Sequence, residues 1–202
     1  TPGGDTTLAV SPRRAPTIDE LSGVKGARAW GLAVQLYSLR RPSSDLTQAT
    51  HGFGDFGALR DLAVAAGAAG ADALAISPVH AMFAADPAQC SPYSPSSRLF
   101  LNTLYADPAG VLGEGAVRAA LAGMDQTRLR ALDARPLIDW PAAATLRHQL
   151  LRRLHAGFPA DATAAHRQAY DAYRDAAGPD LRDHALFCLL YTSPSPRDVE
   201  ES

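Results

Sequence analysis

Cys90-Ser-Pro-Tyr-Ser-Pro-Ser-Ser-Arg98 sets a tyrosine in a loop braced by two prolines and closed by an arginine. Pro92 and Pro95 fix backbone φ angles and lower the entropy cost of holding Tyr93 in one pose. A tyrosine held this way can stack on a sugar ring and hydrogen-bond through its hydroxyl. The competing reading is a ring packed under a loop for stability alone. Ser91 shares the turn. Arg98 and Asn102 carry donors suited to hydroxyl recognition or to anchoring the loop, with anchoring the stronger reading for Arg98. His80 follows Pro78 and reads as a hydrogen-bonding residue, structural or substrate-facing, rather than a catalytic one. No second His, Cys or carboxylate stands around it at metal-ligand spacing.

The carboxylates are less promising. Two-carboxylate glycoside chemistry of the retaining kind needs a nucleophile and an acid/base about 5–5.5 Å apart. Asp55 reads as a helix cap and Asp72 precedes a strand. Asp86 and Asp107 fall in a long loop, and Asp139 sits beside Trp140 and Pro141. None makes a convincing pair. Gly52-Phe-Gly-Asp-Phe-Gly57 lacks the Lys and Ser/Thr of a phosphate loop and reads as a tight turn before a helix.

These residues need elements to position them. Leu32–Tyr37 and Ala73–Ile76 are short apolar runs of strand length. Between them, Phe56, Leu59, Leu62, Ala63 and Ala66 recur at helical spacing behind Asp55, with Gly67 and Gly70 as stops. A strand–helix–strand unit implies a parallel pair with a right-handed crossover. The loops after the two strands, 38–54 and 77–110, then lie on the face where parallel α/β folds build their active sites. Downstream the pattern predicts helices: Glu114–Gly123, a run capped by Thr145 through His155, one from Asp161 to about Asp175, and another near Pro179. His148, His155 and His166 are expected on helix surfaces.

Composition sets the outer bounds. The chain has 202 residues, 47% hydrophobic and 20% charged, which suits a packed domain. The net charge of -2 offers no basic footprint for nucleic acid. Two cysteines far apart in sequence do not form a disulfide framework, so a cytoplasmic setting is expected. No apolar run approaches the roughly 20 residues of a membrane span. Residues 1–28 are rich in Pro and Gly and read as a linker or the remnant of an upstream domain. Residues 188–202, with Ser-Pro-Ser-Pro, read as a disordered or non-native tail.

The intervening residues resemble the amylomaltases, the 4-α-glucanotransferases of glycoside hydrolase family 77. The likeness runs collinearly through Gly31-Leu-Ala-Val-Gln-Leu-Tyr-Ser-Leu-Arg40, Gly52-Phe-Gly-Asp-Phe-Gly-Ala-Leu59, Ser77-Pro-Val-His-Ala-Met-Phe83 and the Ser-Pro-Tyr loop. It continues through Phe100–Asp107 and Leu137-Ile-Asp-Trp140. Thr50-His51 stands where this subtype usually has Trp-Gly.

The resemblance implies an α/β fold: a partial (β/α)₈ TIM barrel with a helical insertion over 29–187, truncated before the catalytic strands. It implies retaining transfer of an α-1,4-glucan segment to another sugar's 4-hydroxyl through a glycosyl-enzyme. The partners would be maltooligosaccharides, with no nucleic acid, membrane, metal or organic cofactor. Tyr93 would meet the donor sugar, with Ser91, Asn102 and His80 as weaker substrate-binding candidates. The family's catalytic carboxylates come from later strands and have no counterpart before Phe187. A barrel takes about 250 residues, so the expectation is a fragment inactive alone. The alternative is a non-catalytic maltooligosaccharide-binding or interaction module using the same loop.

Overall fold

A computed structural model describes residues 8–192. Residues 1–7 and 193–202, and with them most of the expected tail, lie outside the described residues. Within the expected linker, a single helical turn, α1 (Ile18–Ser22), is closed by a reciprocal cap. Thr17 Oγ1 accepts from Glu20 N–H, and the Glu20 carboxylate accepts from Thr17 N–H.

The strand–helix–strand unit forms as the apolar spacing predicts. β1 (Gly31–Val34) pairs in parallel with β2 (Ala73–Ile76), in register Gly31↔Ala73 through Val34↔Ile76. Gly31 approaches Ala73 so closely that a side chain there would meet the Ala73 backbone. Between the strands runs α2 (Phe56–Ala68), capped by Asp55, whose carboxylate accepts from Ala58 N–H at 2.9 Å. The turn leading into it bends through His51 at φ 55° and Gly52 at φ 105°. β1 is shorter than the apolar run predicts, because Leu36–Ser38 tightens into a 3₁₀ turn.

The long segment after β2 is not a plain loop. β3 (His80–Ala81) pairs antiparallel with β4 (Ser97–Leu101), with an irregular register between them. Then come α3 (Pro108–Leu112), α4 (Glu114–Leu121), α5 (Gln126–Asp133) and α6 (Trp140–Asp161). α7 (Ala164–Thr192) kinks at Gly178, beside Pro179.

Two helix starts differ from the sequence reading. α6 begins at Trp140 rather than at Thr145, because Asp139 accepts from Ala142 N–H at 3.2 Å and Pro141 suits a first turn. Thr145 lies inside the helix and donates to Pro141 O. α7 begins after Asp161, which belongs to the end of α6. Asp107, Asp125 and Asp139 share one duty: each caps a helix. Asp125→Ala is expected to lower stability by about 1 kcal/mol, read as a shift in the urea midpoint.

The described core is helical. Leu46, Phe53 and Leu104 pack with Val117 and Leu121 of α4, Leu129 and Leu132 of α5, and Leu146, Leu150 and Leu154 of α6. The β1–β2 sheet lies outside this cluster, and Leu32 and Ile76 remain about 40% exposed. Among the described residues no helix is long and apolar enough to cross a membrane.

Candidate functional site

An open cleft lies at the carboxyl ends of β1 and β2. Val34, Gln35, Ser38, Ile76, Ser77 and Tyr93 line it. Two hydrogen bonds fix its floor: Ser77 N–H donates to Val34 O, and Leu36 N–H donates to the Ser77 hydroxyl oxygen at 3.3 Å. Ser38 Oγ closes the 3₁₀ turn by donating to Gln35 O.

Tyr93 reaches the cleft on a turn closed by Ser94 N–H donating to Ser91 O. Pro92 is buried beneath the turn, while the Tyr93 ring is 69% exposed. Ser96 anchors the end of the turn. Its N–H and hydroxyl both reach Ala81 O, and its hydroxyl is also within reach of Met82 O. The sequence reading did not single out Ser96. Its place between two prolines' turn and a strand was the available signal.

The other predicted site residues lie elsewhere. Ser91 is exposed and engages through its carbonyl alone among the described hydrogen bonds. Asn102 is buried. Its N–H donates to Val79 O, and its Oδ1 accepts from Leu104 N–H to start the turn Thr103–Tyr105. It faces a separate, mostly apolar cavity between the β3–β4 hairpin and α6. His80 is half-buried on β3, opposite Leu101. Thus Tyr93 lines the cleft, while Asn102 and His80 belong to the frame of the same loop. Arg98 is exposed. His148 is half-buried rather than on the surface, and burial, then Arg152, lowers its pKa.

Tyr37 is the neighbour that sequence reasoning passed over. Burial raises its phenol pKa, and Tyr93 and Cys90 lie near enough to add to the shift. Its ring meets Trp140 edge-on, with centroids 5.3 Å apart, and Trp140 stacks on Phe53 at 5.6 Å. The signal was present as Leu36-Tyr37-Ser38 immediately after a strand.

Beneath this aromatic group lies a buried ion pair. Arg147 Nη2 meets Asp55 Oδ2 at 3.1 Å, with both side chains almost wholly inaccessible. Arg147 also donates through Nε to Leu104 O and lies over the Phe53 ring. Arg41 reaches the other Asp55 oxygen at 3.2 Å. The pair fastens α6 to the turn before α2.

Chemically, the cleft offers an aromatic face and hydroxyl and amide groups. Among the described residues no carboxylate lines it, and no three His, Cys, Asp or Glu side chains converge to hold a metal ion. The aromatic, hydroxyl and amide groups suit contact with a polyhydroxylated ligand.

The model of the glycoside hydrolase family 77, described as 4-alpha-glucanotransferase, matches residues 34–201. A curated 4-alpha-glucanotransferase of Mycobacterium tuberculosis is 33% identical over 192 residues, covering 91% of this chain and 25% of the relative. One from Haemophilus influenzae is 40% identical over 102 residues, covering 50% of this chain and 13% of the relative. The chain thus spans about a quarter of the length of the mycobacterial relative. A family match over most of its residues, in agreement with the collinear motifs, makes this chain a member of glycoside hydrolase family 77.

Proposed function

We propose that this chain carries the donor-side sugar wall of a 4-α-glucanotransferase. Such an enzyme transfers a segment of an α-1,4-glucan to a new 4-position on an acceptor sugar, with retention, through a glycosyl-enzyme. The carrying observation is the placement of Tyr93, exposed on a proline-braced turn over the carboxyl ends of β1 and β2. In this reading Tyr93 stacks on the donor sugar, and Gln35 and Ser38 hydrogen-bond its hydroxyls. Ser91 contributes from the same turn, and Asn102 and His80 hold the loop from behind.

The parallel pair is read as the opening strands of a (β/α)₈ barrel. The apolar strands, each with one hydrogen-bonded neighbour among the described residues and with Leu32 and Ile76 partly exposed, support that reading. The nucleophile and acid/base belong to residues outside this chain. Accordingly the 202-residue chain transfers nothing by itself.

Incubating the purified chain with maltotriose and separating the products tests this. Maltotriose is expected to remain unchanged, and longer maltooligosaccharides would overturn the inactivity. In a barrel completed by its remaining strands, Tyr93→Ala is expected to weaken maltooligosaccharide binding about tenfold, the scale of one lost aromatic contact and hydrogen bond. Unchanged binding would remove Tyr93 from the site. Maltooligosaccharide affinity in the isolated chain, lost on Tyr93→Ala, would instead favour a stand-alone binding module.

A further inference from the structure

We propose that Trp140 is a positioning residue for the Tyr93 cleft, so that the helical layer sets the shape of a wall built on the β1–β2 sheet. The proposal rests on the glucan-binding reading above for its ligand, and on the packing of one indole for its geometry.

Trp140 is the first residue of α6, seated by the Asp139 cap and followed by Pro141. Its place is tightly set. One face stacks on Phe53 with an interplanar angle of 18°. Phe53 is itself fully buried, with Arg147 over its ring and Tyr105 edge-on at 6.4 Å. A displaced indole would have to move a ring that the buried ion pair holds.

From that position Trp140 touches one loop of the cleft and borders the other. Tyr37, the middle residue of the turn Leu36–Ser38, meets it edge-on at 68°. Gln35 and Ser38, on either side of Tyr37, line the cleft. Tyr37 O accepts from Gly54 N–H at 2.8 Å, which fastens the same turn to the residue after Phe53. On its other side, Trp140 and Cys90 line two cavities together, and Cys90 leads directly into Ser91-Pro-Tyr93. Arg40 adds an independent tie: its guanidinium donates to Arg135 O and Pro136 O, in the connection between α5 and α6. The loop after β1 is therefore held from the α5–α6 side at two points, and the indole stands where the two cleft loops come together. Edge-to-face pairing is orientation-dependent, so an aliphatic side chain in place of the indole gives Tyr37 no edge or face to orient against.

Hydrogen exchange on the full 202-residue chain tests the proposal, with Trp140→Leu and Trp140→Phe. In Trp140→Leu, amides of residues 36–40 and 90–96 are expected to exchange about tenfold faster than the global stability change explains, while α2 and α4 follow that change alone. Trp140→Phe is expected to stay near the parent. Unchanged loops, or a uniform acceleration throughout, would overturn the positioning role. If Trp140→Leu does not fold, Tyr37→Leu removes the other half of the pair and is read the same way. Calorimetric titration with maltoheptaose, in a barrel completed by its remaining strands, separates the two ideas. Affinity is expected to fall about tenfold in Trp140→Leu and in Tyr93→Ala, and to persist in Trp140→Phe. Loosened loops with unchanged affinity would overturn the proposal. No affinity in the completed parent barrel would count against the glucan reading, while the exchange pattern of the 202-residue chain would still decide for or against Trp140.

Discussion

Asp55→Ala is expected to lower the stability of this chain by about 3–5 kcal/mol, the cost of leaving a buried charge without its partner. Arg147 is 2% exposed, and a guanidinium does not escape burial by losing its proton. Burial pulls its pKa down, and Asp55 is the first group opposing that pull. The same substitution removes the cap of α2, since Asp55 Oδ1 accepts from Ala58 N–H, and leaves Arg41 paired with Asp61 without its second carboxylate. Asp55→Leu combined with Arg147→Met is expected to be markedly less destabilising than either change alone, because an apolar pair needs no charge balance. Urea unfolding of the two single variants and the double variant gives the coupling. Single variants within 1 kcal/mol of the parent, or strictly additive effects, would show that the pair is not buried in solution.

That ion pair also marks what the sequence could and could not reveal. The unit from β1 to β2 was legible because local signals agreed: two apolar runs, an Asp cap and a helical spacing ended by glycines. The burial of α2 was legible only in part. Ala66 is buried, but Ala63, on the expected apolar face, is exposed. The hairpin β3–β4 escaped notice because β3 is two residues long and its partner follows a Ser- and Pro-rich run. Short helices α3 and α5 escaped for a related reason. Their caps, Asp107 and Asp125, are local hydrogen-bond acceptors whose role depends on which amide lies opposite. A single aspartate looks the same in sequence whether it caps a helix or serves a reaction.

Long-range partners were hidden more completely. Nothing near Asp55 announces Arg147, 92 residues onward, and nothing near Tyr37 announces Trp140. The Ser-Pro-Tyr turn, by contrast, carried its own constraint in its prolines, and Tyr93 stands at the strand ends where the strand–helix–strand reading put it. Asn102 shows the limit of that success. Its amide suits hydroxyl recognition, yet its oxygen is used to start a turn.

Acidification from pH 7 to 4 is expected to remove about 3 kcal/mol of stability through His51. The residue is 3% exposed and adopts a left-handed backbone at φ 55°. Its Nε2 meets Leu46 O at 2.8 Å, which assigns the proton to that nitrogen in the neutral ring. Its Nδ1 is buried without a hydrogen-bond partner. Burial, and then the nearby Arg147, lower its pKa to about 4, whereas an unfolded chain titrates near 6.5. Between those values the unfolded state binds a proton that the folded state refuses, so stability falls as pH drops through the window. His148, also lowered by burial, acts in the same direction. Asp133, which accepts from Gly52 N–H, acts oppositely. Burial raises its pKa, so the folded state takes up that proton first and recovers part of the loss at the acid end. His51→Asn tests the assignment, because Asn tolerates the left-handed backbone and does not titrate. Urea midpoints measured from pH 7 to 4 are expected to fall steeply in the parent and shallowly in His51→Asn. Parallel curves would place the acid sensitivity in other groups.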